Sequence, residues 1–303
     1  MKSFHSSTYR LPLLAAGGLL LLLSACKKEK SASELSPQEE QTIAFTSARS
    51  DAQSHGTFDD IFDNILGVNS EVGFGNTGVF GRPGSGPGVD SIPPCVQLTV
   101  VRLSQQGPFP VRISIDFGSG CTGRDGRTRS GRIVTDYSGR LLDSGSVAIS
   151  TFENYRIDSI RIQGVQRVRN LGGPGRRFSV EVHDARITRA NGDYVLWNGN
   201  RVITQTEGQL TPNLAIDDVF TVTGAASGQT RNSGLIHTWT STIELPLRKR
   251  FTCRWFSAGT VRSSRSGLAG NSPWVGLLHY GQGQCDNLAS FTVNNSTYQI
   301  SLP

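Results

Sequence analysis

The residues able to do acid–base or anion chemistry are few and scattered. The five histidines are His5, His55, His183, His237 and His279; as a residue type they titrate nearest neutral pH. His237 alternates with Trp239, and His279 with Val275 and Leu277, a spacing that places both rings on inward strand faces as core residues. No His-Glu-x-x-His, Gly-x-Ser-x-Gly or P-loop sequence occurs. Asp217-Asp218 is a paired carboxylate, but adjacent strand residues point to opposite faces and cannot share a proton across a substrate. Arginine is the richer signal. It clusters at Arg124, Arg127, Arg129 and Arg132, at Arg161, Arg167, Arg169, Arg176 and Arg177, and around Lys249 at Arg248, Arg250 and Arg254. Guanidinium forks match phosphate and carboxylate, which makes Arg124, Arg127, Arg129, Arg132, Arg248 and Arg250 candidate anion-binding residues. The competing and weightier reading is a set of solvated outer strand positions. Of the tryptophans, Trp239 and Trp255 alternate with apolar neighbours and read as core. Trp274 opens a strand and fits either role, and Trp197, beside Asn198-Gly199, is the best candidate for an exposed stacking ring.

The N-terminus carries the sharpest motif. Lys2 and Arg10 precede an apolar run from Leu11 to Leu23, too short to span a bilayer core of about 30 Å but suited to a signal-peptide core. The run ends in Leu23-Ser24-Ala25-Cys26, followed by Lys27-Lys28-Glu29-Lys30. This resembles the lipobox of bacterial lipoproteins. The resemblance implies removal of residues 1–25 and acylation of Cys26, and two or more acyl chains make a stable anchor. Lys27 stands where families with a sorting rule carry Asp for inner-membrane retention. Outer-membrane placement follows, and the basic patch favours the periplasmic face over the cell surface.

The anchor frames the remaining cysteines. Cys95, Cys121, Cys253 and Cys285 are even in number, as expected of disulfides in an oxidising envelope. Asp116-Phe117-Gly118-Ser119-Gly120-Cys121 is similar to His279-Tyr280-Gly281-Gln282-Gly283-Gln284-Cys285, and each follows an apolar strand. That internal similarity selects the pairs Cys95–Cys121 and Cys253–Cys285. Cys-x-x-Cys spacing is absent, so no metal and no cofactor is expected.

The elements that must position these residues come in three parts. Residues 26–90 form an acidic tether. Ser36-Pro37-Gln38-Glu39 is a capping box that starts a helix from about Pro37 to Gln53. A break at Gly56 separates it from a second short helix, whose Phe58, Ile61, Phe62, Ile65 and Leu66 share a face opposite Asp59, Asp60 and Asp63. A Gly/Pro-rich stretch follows, ending near Gly81-Arg82-Pro83-Gly84-Ser85-Gly86-Pro87-Gly88, and reads as a linker. From Cys95 the period becomes two. Strands are expected at 96–103, 111–117, 132–137, 147–153, 157–168, 178–188, 194–197, 201–206, 219–223, 235–245, 254–262, 274–280, 289–293 and 298–302. The apolar parity flips between Val182 and Ala185, which predicts a bulge near Asp184. Residues 91–303 are therefore expected to be an all-β domain, an antiparallel meander forming a sandwich or open barrel, after a short N-terminal helical segment.

The full chain has a net charge of +6, with 18% charged residues, 35 Gly and 13 Pro. That excludes a coiled coil or a highly charged disordered chain. Residues 31–90 are acidic and residues 91–303 basic, so the arm can dock on the domain and neutralise it. Phe62-Asp63-Asn64-Ile65-Leu66-Gly67-Val68, the run Gly118-Ser119-Gly120-Cys121-Thr122-Gly123-Arg124-Asp125-Gly126-Arg127, and Cys285-Asp286-Asn287 are similar to segments of β-rich lipoproteins of Gram-negative outer membranes. That resemblance implies an address and no activity. The expectation is a non-catalytic binding or structural module held to the membrane by lipid. Its partner would be an acidic glycan, a lipid headgroup or an envelope protein, and not nucleic acid. A periplasmic lipid or glycolipid carrier is the alternative, and an envelope hydrolase the lesser one.

Overall fold

The computed structural model describes residues 35–66, 94–123, 125–211, 217–267 and 272–302. The expected signal peptide, Cys26, the Gly/Pro-rich stretch and Arg124 lie outside the described residues.

Helix α1 spans Pro37–Leu66. It starts where the capping box places it: the Ser36 amide donates to Glu39 Oε2 (2.9 Å) and the Glu39 amide to Ser36 Oγ (3.3 Å). The expected break at Gly56 does not occur, and two predicted helices are one. A helix-interior glycine costs about 1 kcal/mol relative to alanine. Here the turns on both sides are clamped by the sheet, and that outweighs the cost: His55, Thr57 and Phe58 are all buried. The Tyr137 hydroxyl donates to the Ile65 carbonyl (2.8 Å), satisfying one of the free carbonyls of the last turn.

Among the described residues, 14 strands form one antiparallel sheet. They are β1 (Gln97–Arg102), β2 (Val111–Asp116), β3 (Cys121–Thr122), β4 (Thr128–Tyr137), β5 (Val147–Ile157), β6 (Ile160–Asn170) and β7 (Arg177–Thr188). Then follow β8 (Tyr194–Glu207), β9 (Val219–Asn232), β10 (Leu235–Arg250), β11 (Ala258–Arg265), β12 (Val275–Gln282), β13 (Leu288–Val293) and β14 (Ser296–Ser301). Neighbours in the sheet follow chain order except that β3 pairs only with β4, and β1 and β14 are its two edges. The sheet is thus an open meander. Residues 194–197 and 201–206, expected as separate strands, are one strand, because the turn-like Asn198-Gly199-Asn200 pairs on both sides, with β7 and with β9.

Alternation gives the sheet one buried face, as in β8, where Val195, Trp197, Arg201, Ile203 and Gln205 point inward. That face curls around α1, which accepts side-chain hydrogen bonds from β4, β6, β8 and β11 and donates one through Gln41 to Tyr298 of β14. Bulges supply the curvature. The register shifts between Val182 and Ala185, and Asp184 sits at φ 51°, where the parity flip places the bulge. Opposite it, Gly164 has φ 121°, and a Cβ there would lie 2.7 Å from Ala185 Cα. Cys95–Cys121 and Cys253–Cys285 are disulfide-bonded, the expected pairing. Loops of this length confer about 3 to 4 kcal/mol each in the chain-entropy account.

Candidate functional site

The buried face of the sheet and the helix inside it share a chain of polar contacts. Most sheet-wrapped helices would be apolar all round. This one buries Asp51, His55, Asp59, Asp60, Ser47, Ser50, Ser54 and Asn64 beside Ile43, Phe58, Ile61 and Phe62. Each acid meets a partner on a strand. Arg201 of β8, 0% exposed, donates through Nη1 to Asp59 Oδ1 at 2.9 Å. Arg129 of β4, also 0% exposed, donates through Nη2 to Asp60 at 2.8 Å and to Asp125 at 3.0 Å. Burial works against the Arg129 charge, but the two carboxylates outweigh it and hold its pKa above the ordinary range.

Asp51 accepts from the Trp197 indole at 3.0 Å. Burial nevertheless dominates and raises its pKa to about 6. His55 lies one turn on, its Nε2 3.6 Å from Asp51 and its Nδ1 3.4 Å from Arg201. Burial first, and then the Arg201 charge, push its pKa well below the ordinary value, so the ring is neutral. Histidine and aspartate do meet here, but not as part of a hydrolytic triad. The histidine is 1% exposed, its Nδ1 lies against the Arg201 guanidinium, and no substrate could reach it. Arg201 Nε and Nη2 find no partner among the described residues. At the other end of α1, Glu40 is held by Arg265 and by the Trp274 indole (3.1 Å).

One strip of α1 escapes this cover. Gly56 is exposed between the buried His55 and Thr57, and it floors a cavity of about 250 Å³. Ala52, Gln53, Thr57, Asp60 and Asp63 of α1 line it with Gly56. One rim is Arg127, Asp158 and Ile160, at the start of β4 and the β5–β6 turn; the other is Lys249, Arg254, Trp255 and Phe256, at the β10–β11 connection held by the Cys253 disulfide. Tyr280 and Leu302 complete the lining. Trp255 Nε1 and the Tyr280 hydroxyl are buried atoms with no hydrogen-bond partner among the described residues. Burial, then the neighbouring Asp51 and Asp59, hold the Tyr280 hydroxyl protonated well beyond the usual tyrosine range.

The sequence-derived candidates separate here. Arg129 is not a surface anion site, because its guanidinium is buried and committed to Asp60 and Asp125. Arg132 is exposed but bonds to Asp116 (2.6 Å) and Glu153 (3.1 Å) on the flanking strands. Arg248 meets Glu207 at 2.8 Å and Arg127 meets Asp158 at 3.4 Å. Arg250 is exposed on the far end of β10. Some of these arginines stand in cross-strand ladders with a carboxylate opposite the cation, as in Arg132–Asp116 and Arg167–Glu181 and, outside the patches, Arg112–Asp136. Of the five described candidates, Arg127 alone lines the cavity beside Gly56. Trp197, expected as an exposed ring, is 0% exposed and stacks on Phe58 with centroids 5.4 Å apart. Trp239 is buried as expected. Asp217 and Asp218 point apart: Asp217 accepts from Thr211, while buried Asp218 accepts from Arg176 and Gln205. Arg201 and its helix acids were missed. The available signal was inward parity, since Arg201 is in phase with Val195, Trp197 and Ile203 once β8 is read as one strand.

Among the described residues there is no cluster of three or more metal-ligating side chains, and no helix is long and apolar enough to cross a membrane. No protein-family model, curated protein or solved structure matches the chain.

Proposed function

We propose that the chain is a lipid-anchored outer-membrane protein, held through Cys26, whose β domain is a non-catalytic binding module of the envelope, on its periplasmic face. The anchor rests on the lipobox-like Leu23-Ser24-Ala25-Cys26 after the apolar run. The module reading is carried by one observation: the concave face of the sheet is filled by α1, and the buried Asp51, Asp59 and Asp60 of α1 are engaged by strand side chains that fix it there. The cleft beside Gly56 stays accessible. Lipid carriage needs an unfilled apolar groove, and α1 occupies that place. A hydrolase needs a base that can reach substrate, and His55 is walled in beside Arg201.

Two measurements test the reading. Cys26→Ser should abolish incorporation of a palmitate analogue and move the protein from the membrane to the soluble fraction; a labelled, membrane-bound variant would refute the anchor. The released protein should then co-sediment saturably with isolated envelope fragments. If it stays in the supernatant at every concentration, the module reading is wrong.

A further inference from the structure

We propose that the cleft beside Gly56 binds one neutral sugar ring, the exposed end of an envelope glycan. This rests on the reading of the domain as a binding module and names the chemistry of its ligand.

The floor is open because a side chain is missing. A Cβ built at Gly56 meets nothing within 4 Å, so alanine would fit and would favour the helix. The walls combine apolar and polar character. Phe256, Ile160 and Leu302 supply carbon surface, and the half-buried Trp255 supplies an aromatic ring backed by Arg254 at 5.3 Å. Two donors of the lining residues have no hydrogen-bond partner among the described residues: the Trp255 indole N–H and the hydroxyl of Tyr280, itself 3% exposed. A buried donor left without a partner costs about 1 to 3 kcal/mol, which a ligand oxygen recovers.

Charge decides the ligand class. The cations of the rim are already engaged: Arg127 with Asp158 at 3.4 Å, Lys249 with the Arg254 carbonyl at 2.9 Å, and Arg254 over the indole. The acid deepest in the cleft, Asp60, is held by Arg129. Three basic and three acidic side chains line the cavity, so its field favours neither sign. A neutral ring rich in hydroxyls satisfies what remains. Its oxygens accept from Trp255 and Tyr280, its hydroxyls donate to the Asp158 carboxylate, and its C–H face packs on the indole. Pockets for drug-sized ligands span about 300–1,000 Å³. A cavity of about 250 Å³ takes one ring and leaves the rest of a glycan in solvent.

The test uses the full-length, disulfide-bonded protein in detergent. It is titrated with glucose, galactose, mannose and N-acetylglucosamine, and separately with inorganic phosphate, and read by tryptophan fluorescence and calorimetry. At least one sugar should saturate the protein, and phosphate should neither bind the cleft nor compete. Gly56→Leu, which fills the floor, should abolish binding while the melting temperature is kept. Tyr280→Phe, which removes the hydroxyl and keeps the ring, and Trp255→Phe, which removes the indole N–H and leaves a smaller aromatic ring, should each weaken it about tenfold; they carry the test if Gly56→Leu does not fold. Silence across all four sugars overturns the proposal, as does binding indifferent to every cleft variant. Phosphate binding that the variants abolish would make the cleft an anion site. If envelope fragments are bound while no sugar is, the sugar site fails and the module reading survives. If neither is bound, both fail.

Discussion

Arg201 and Arg132 make similar bonds in different places, and the contrast separates what holds this protein together from what decorates it. Arg201 reaches Asp59 across 142 residues of sequence, inside the sheet and away from water. Arg132 reaches Asp116 at 2.6 Å and Glu153 at 3.1 Å on the outer face, in the open. In solvent the Coulomb attraction is screened and two mobile side chains lose entropy, so such pairs add little. Inside, desolvation makes the pair a poor source of stability, but either partner left alone is a severe defect. The inner pairs therefore fix where the helix sits. The same contrast divides α1 itself, into a locked face against β4 and β8 and the bare strip at Gly56.

The largest expected effect comes from breaking an inner pair. Arg201→Met leaves Asp59 buried and uncompensated and should cost about 3 to 5 kcal/mol in urea unfolding. Adding Asp59→Leu should restore most of that loss; a double variant as unstable as the single one would mean that Arg201 acts by packing rather than by charge.

Acidity sharpens the contrast next. The Asp51 pKa is raised from 3.8 to about 6, so its contribution is fully present below about pH 4 and is lost as pH rises to about 6. That loss approaches 3 kcal/mol if the shift is fully expressed. The His55 pKa is depressed, so its contribution is present above pH 6.5 and is lost as pH falls. The two oppose each other and flatten the native profile. Asp51→Asn removes one of them, and its urea midpoint should fall more steeply than the wild type's between pH 6.5 and 4. Parallel profiles would place the proton elsewhere.

On the bare strip, Gly56→Ala should stabilise by about 0.5 to 1 kcal/mol, because helix propensity rises and nothing is struck. Smallest of all, Arg132→Ala on the outer face should leave the thermal midpoint where it is. A clear drop would show that the surface ladder acts as a cooperative network.

The sheet was largely legible in the sequence, because period-two alternation and turn residues are local signals. Even the bulge at Asp184 was readable from the parity flip between Val182 and Ala185. Both disulfides were readable from the repeated Gly-rich segment before each second cysteine. The helix was misread as two because Gly56 breaks an isolated helix, whereas this one is held by strands that follow it far along the chain. The site was hidden for the same reason. Nothing near Arg129 announces Asp60, 69 residues earlier, and nothing near Trp197 announces Asp51, 146 residues earlier. The arginine patches misled because composition counts cations without their cross-strand acids. The acidity of residues 31–90 was the one clue, and docking onto the basic domain is what α1 does.

The position of α1 ahead of every described strand sets an order on assembly. Glu40 is synthesised 234 residues before the Trp274 that holds it, and Gln41 257 residues before Tyr298. The first of the described elements is thus among the last secured. Contacts this distant in sequence make folding slow compared with helical proteins of similar size, because the loops must close before the contacts form. Until β11 to β14 arrive, the helix has acids with no cations at one end and an uncovered apolar face. The final strands act as a latch on the first, and losing the C-terminal strands would release the N-terminal helix rather than merely shorten the sheet.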